Sequence, residues 1–162
     1  MRGTKLREAD LTGANLEGTD MREGALMNFG RGATAGWFAN DLYICTLDNA
    51  VLRESNLTQA NLARSSIQGA DMANAKLVGA KLASSNLTGT DLRGVDLASA
   101  DLSNSNLSGC NLQGVNMSDV KLADAKLYKC DLTGSNFTGA HLTHANLRGA
   151  SLSPAPIRDA KG

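Results

Sequence analysis

Residues 95–112 read Val95-Asp96-Leu97-Ala98-Ser99-Ala100-Asp101-Leu102-Ser103-Asn104-Ser105-Asn106-Leu107-Ser108-Gly109-Cys110-Asn111-Leu112. A leucine returns at every fifth position, with Asp or Asn directly before it and a small residue before that. Working outward, the period holds without a slip from Leu42 to Ile157, with Ile67, Met72, Met117 and Phe137 among the residues that stand in for Leu. Leu6, Leu11, Leu16, Met21 and Leu26 keep the same period in another phase. A five-residue period matches neither a helical face nor the alternation of a strand. A helix would scatter these leucines around its surface, and a flat strand would turn alternate ones to water. Self-similarity of this kind marks a stack of identical units that bury their apolar positions against one another.

Composition supports a narrow interior. Hydrophobic residues make up 42% of the 162-residue chain but aromatics only 4%, so Leu and Ala must do the filling. The two prolines, Pro154 and Pro156, lie at the end of the chain, where a missing N–H interrupts no ladder. Sixteen basic and sixteen acidic residues balance to a formal charge of zero. Direct nucleic-acid binding draws on a basic excess, and imitation of nucleic acid on an acidic one; neither is present. No run approaches the roughly 20 apolar residues of a membrane span, and Met1 to Leu6 carry no signal-peptide core. The expectation is a cytoplasmic protein with no membrane contact.

The units Ala70-Asp71-Met72, Ala100-Asp101-Leu102 and Ala145-Asn146-Leu147-Arg148-Gly149 resemble the pentapeptide-repeat family, whose consensus is Ala-Asp/Asn-Leu-x-x. The resemblance implies an all-β fold, a right-handed quadrilateral β-helix, here with about seven coils and one early loop insertion. One domain over 1–162 is expected: first repeats at 4–26, an inserted loop at 27–36 and the main solenoid at 37–159. In such a coil identical positions recur about 4.8 Å apart. Leu62, Leu82, Leu102, Leu122 and Leu142 would then stack as one structural core column. No amphipathic helix caps either end, so the open edges invite an end-to-end homodimer.

The irregular interval is the candidate for binding. Phe29, Trp37, Phe38 and Tyr43 bring four of the six aromatics into one short stretch, and Arg31 lies among them. Loops on rigid scaffolds carry function, and aromatic and Arg side chains anchor interfaces. Phe29, Arg31, Trp37, Phe38 and Tyr43 are therefore the expected partner-binding residues, against the plainer reading that the rings only plug the first coils. The glycine-rich run Gly30 to Gly36 lacks the strand and helix a phosphate loop requires.

Nothing in the repeats assembles a catalytic site. Cys45, Cys110 and Cys130 occupy the small inward position and read as buried thiols in alanine-like sites, with Cys110 and Cys130 one coil apart. His141 and His144 have no converging ligands. The coil spacing also predicts a column Asp41, Asn61, Lys81, Asp101, Lys121 and His141 with a ladder of surface ion pairs, and an acidic strip of Asp71, Asp91, Asn111 and Asp131. No catalytic residue, metal or cofactor is expected. The functional expectation is a non-catalytic scaffold for a protein partner. The alternative is a DNA mimic acting on gyrase, since relatives of this type protect that topoisomerase from quinolones or toxins.

Overall fold

The computed structural model describes residues 6–19, 24–25, 42–43 and 45–153. Each five-residue unit has one local geometry, visible at Ser99 to Asn104. Ala100 points inward, Asp101 makes a backbone bridge, Leu102 points inward, and Ser103 and Asn104 form a turn. The second turn residue takes a left-handed φ throughout, between 54° and 73°. Asn and Gly tolerate this region best, which accounts for their frequency there. The Ser105 N–H then donates to the Leu102 C=O at 3.1 Å and closes the turn.

Side chains reinforce the backbone. The Asp or Asn before each leucine turns its Oδ1 back to accept the N–H two positions on: Ser103 to Asp101, Thr58 to Asn56 and Thr138 to Asn136, each at 3.1 Å. This local bond is why Asp and Asn dominate the position.

Units stack one winding upon the next, four units to a winding. Thr46 bridges Ser66, Asp101 bridges Lys121 and Asp131 bridges Ser151, all in parallel. The Leu102 N–H donates to the Lys121 C=O at 2.8 Å, and the Lys121 N–H returns to the Ala100 C=O at 2.9 Å. Leu47 through Leu132 are fully buried at every fifth position, together with Phe137. Inward hydroxyls are satisfied by carbonyls: Ser55 Oγ donates to Leu52 O at 2.7 Å and Thr90 Oγ1 to Ile67 O at 2.7 Å. At the C-terminal edge the cover thins, and Leu142, Leu147 and Leu152 are half-buried.

The expectation of an all-β quadrilateral β-helix, and with it the description as a solenoid, is corrected. Among the described residues there is no helix and no closed sheet. The only strands among them are β1 (Gly24–Ala25) and β2 (Leu42–Tyr43), paired antiparallel with Gly24 opposite Tyr43. The stacked units meet through isolated single-residue bridges. The left-handed residue in every unit is the physical reason, because it ends the extended backbone before a strand can form.

The first units join the stack across a long separation. Asp10 bridges Val51 and Asn15 bridges Asn56, about twice the Thr46-to-Ser66 step that every later bridge repeats. The β1–β2 pair falls within that separation. The expected loop at 27–36 lies outside the described residues.

Candidate interaction surfaces

Of the five expected partner-binding residues, Phe29, Arg31, Trp37 and Phe38 lie outside the described residues. Tyr43 closes β2 against Gly24. Of the expected core column, Leu62, Leu82, Leu102 and Leu122 are fully buried, and Leu142 is half-buried at the edge. The outward chemistry is organised by four columns of bridging residues.

Asp71, Asp91, Asn111 and Asp131 stack in one column, yet they do not make a bare acidic strip. Arg53 Nε reaches Asp71 Oδ2 at 2.6 Å, and Arg93 holds Asp91 through Nη2 at 2.6 Å and Nε at 2.9 Å. The Arg93 hydrogen bond holds the Asp91 carboxyl below the usual carboxylate range, and bonds from Thr133 and Gln113 do the same for Asp131. Position 53 or 93 follows its bridging residue by two, so a long Arg side chain there reaches the strip.

The column of Asn61, Lys81, Asp101, Lys121 and His141 is stacked as expected, but the predicted ladder of ion pairs is not formed among these described residues. Asp101 turns its Oδ1 to the Ser103 N–H instead. His144 Nδ1 lies 3.6 Å from Asp124 Oδ1 at a neighbouring turn. A third column makes an amide ladder, with Asn116 Nδ2 donating to Asp96 Oδ1 at 2.9 Å and Asn136 Nδ2 to Asn116 Oδ1 at 3.4 Å.

The fourth column, Ser66, Asn86, Asn106, Lys126 and Asn146, contains the feature sequence reasoning missed. Tyr128 stands two positions after Lys126 and is 39% exposed, while the Lys129 ammonium sits 5.1 Å from its ring centroid. The signal was present: a lone Tyr at a turn position that elsewhere carries Thr88, Ser108 and Arg148.

All three cysteines are buried and free. Cys110 Sγ donates to Leu87 O at 2.9 Å and Cys130 Sγ to Leu107 O at 3.0 Å. Burial pushes the Cys110 thiol up to about 12, and Cys45 and Cys130 up to about 11. Such thiols are poor nucleophiles. Among the described residues, no group of three or more His, Cys, Asp or Glu is placed to hold a metal ion. Among them, too, no helix is long and apolar enough to cross a membrane.

The repeat geometry has its counterpart among known families. Residues 83–156 match the family described as "Pentapeptide repeat region", and residues 1–24 and 45–82 match "Pentapeptide repeats (8 copies)". The chain belongs to the pentapeptide-repeat family. Members of this family are structural and interaction modules, generally non-catalytic.

Solved pentapeptide-repeat structures resemble it. Rfr23 from the cyanobacterium Cyanothece 51142 is 23% identical, with a TM-score of 0.60 over 97% of this chain and 90% of that one. At that identity the likeness concerns the path of the chain alone. A pentapeptide-repeat protein of the Arabidopsis thaliana thylakoid lumen is 25% identical over 59% of this chain and 63% of its own, with a TM-score of 0.49. HetL from the cyanobacterium Nostoc, involved in heterocyst differentiation regulation, is 26% identical over 99% and 88%, with a TM-score of 0.46. No curated protein matches the sequence at a significant level.

Proposed function

We propose that this pentapeptide-repeat chain is a single-domain interaction scaffold over 1–162, which presents its outer surface to a protein partner and does no chemistry itself. The observation that carries this reading is how the residues are used. From Cys45 to Ala140 the inward positions are filled and buried, and their hydroxyls are bonded to carbonyls. That arrangement leaves a small molecule no interior to enter, so recognition falls to the outer columns and to the interrupted segment. Within that segment, Phe29, Arg31, Trp37, Phe38 and Tyr43 are the proposed anchors, with the loop placed at 27–36. Gyrase binding by charge mimicry finds less support, since Arg53 and Arg93 neutralise the strip it would use.

Affinity capture from the source organism's lysate tests the reading, using the intact chain and a variant lacking 27–36. The expected result is a stoichiometric protein partner of the intact chain. Loss of that partner from the variant places the site on the loop, and its retention places it on a column. A chain that captures nothing above a scrambled-surface control overturns the scaffold reading.

A further inference from the structure

We infer that the outer side carrying Lys126, Tyr128, Lys129 and Arg148 is a docking surface for an acidic polypeptide segment, a reading that rests on the scaffold function and gives it a site and a partner chemistry. The four side chains are exposed and held in register by the backbone. Lys126 bridges Asn106 on one side and Asn146 on the other. The Lys129 N–H donates to the Arg148 C=O at 3.1 Å, which sets Arg148 one winding beyond Tyr128. Neighbouring windings lie about 4.8 Å apart, so the three cations share one side of two adjoining windings with the ring.

Among the described residues, what separates this cluster from the other surface lysines is that no acid stands in the stacked units of its own side. Arg53 and Arg93 hold Asp71 and Asp91, and Arg7 lies 3.5 Å from Asp48. Lys76 stacks on Asp96, and Lys81 and Lys121 stack on either side of Asp101, so each has a carboxylate one winding away though no ion pair is formed among these described residues. Lys126 has only asparagines as bridge partners, and this side carries no Asp or Glu from Ser66 to Gly149. Of the carboxylates at its two borders, Asp131 accepts from Thr133 and Gln113, and Asp124 lies 3.6 Å from His144. In a chain of zero net charge, uncompensated positive charge has been gathered at one end of one side.

The ring selects between partners. A nucleic-acid track needs cations repeated along the surface to follow the phosphates, whereas these are confined to two windings and the same side is uncharged from Ser66 to Gly109. Tyr and Arg are the residue types that anchor protein interfaces. Lys129, 5.1 Å from the Tyr128 centroid, is held near its working position before any partner arrives. An extended segment with two or three carboxylates and one apolar side chain would pair its acids with the cations and rest that side chain on Tyr128.

The test is fluorescence anisotropy of the full chain with a short labelled peptide, alternating Glu and Asp around a central Phe. A thymidine oligonucleotide of equal charge is run beside it. Binding to the peptide should be tighter than to the oligonucleotide and should weaken as salt is raised. The triple variant K126E/K129E/R148E should bind at least tenfold more weakly, and Tyr128→Ala several-fold. K76E/K81E/K121E, which makes the same charge change elsewhere, should stay within about twofold of the parent. The glutamine versions of the three patch residues serve if charge reversal lowers the melting temperature. Equal losses in the patch and control variants, tighter binding of the oligonucleotide, or no peptide binding at low salt would each overturn the assignment. Lysate capture with the same variants separates the two readings. A partner retained by the patch variant removes the site and leaves the scaffold function standing, whereas an intact chain without any partner removes the scaffold function.

Discussion

Replacing Leu102 by Ala should destabilise the stack far more than the same change at Leu142, although both occupy the same position of the same column. Leu102 is 0% exposed, and its backbone is bonded to the next winding through Lys121. Its inward neighbours in the repeat pattern, Ala100 and Val120, are too small to fill the space left behind. The change therefore combines lost burial with an uncollapsed cavity, about 3 kcal/mol within the range for buried leucines. Leu142 is only half-buried at the C-terminal edge, which leaves about 1–2 kcal/mol to lose. Urea unfolding followed by circular dichroism measures both. With m of about 1–3 kcal/mol/M, the Leu102 variant should lose roughly 1–3 M in midpoint and the Leu142 variant roughly one third to two thirds of that. A stack held together by nearest-neighbour contacts should also fray locally in the Leu142 variant and keep a cooperative main transition. Equal losses at the two sites, or a larger one at Leu142, would refute the picture of a core whose energy depends on having a winding on both sides.

At pH 8 none of the three cysteines should react with a disulfide reagent until the chain is unfolded, because burial suppresses their thiolates; rapid labelling of the native protein would contradict this. Their raised values also give a sign in alkali. The stabilising contribution is complete below the unfolded-state value of 9.0 and is lost as pH climbs towards 11 and 12, so the melting temperature should fall over that interval. Gly114→Ala meets no atom within 4 Å but places a side chain at φ +65°, so it should cost about 1 kcal/mol in thermal unfolding, whereas Asn104→Gly at φ 59° should be close to neutral. Arg93→Ala should lower the melting temperature only slightly, since the Arg93 side chain is 53% exposed. Even that difference should vanish as acid protonates Asp91, whose carboxyl titrates below its usual range; a large loss would mean the pair is more than a surface contact. In a gyrase supercoiling assay with quinolone, a large molar excess of the chain should give no protection, and clear protection would restore the mimic reading.

How much was legible beforehand follows from the range of each interaction. The five-residue period exposed every inward leucine from Leu47 to Leu132, and the small inward position of Cys45, Cys110 and Cys130 foretold their burial. Both depend on residue types alone. The β-helix expectation, which the family resemblance implied, went too far because the repeat consensus reports which side chains turn inward and is silent about φ. The left-handed residue in each unit, including Glu54, Arg64 and Lys129, reduces the contact between windings to single bridges. The ion-pair ladder failed on a short-range competitor, since Asp101 is satisfied by the nearby Ser103 before Lys81 or Lys121 can reach it.

The sequence by itself determined the repeat, its inward faces, the family and the reason Asp or Asn precedes each leucine, because all of these are written within one five-residue unit. The tertiary structure decided which units meet. Register is set by backbone bonds from each winding to the next, and by the longer connection where Asp10 meets Val51 and Asn15 meets Asn56. It also decided which charges are cancelled. Arg53 finds Asp71 on the adjoining winding and silences an acidic strip, while Lys126 falls between two asparagines and keeps its charge beside Tyr128. Those outcomes depend on how far a side chain reaches between neighbouring windings, a distance that exists only once the chain has stacked.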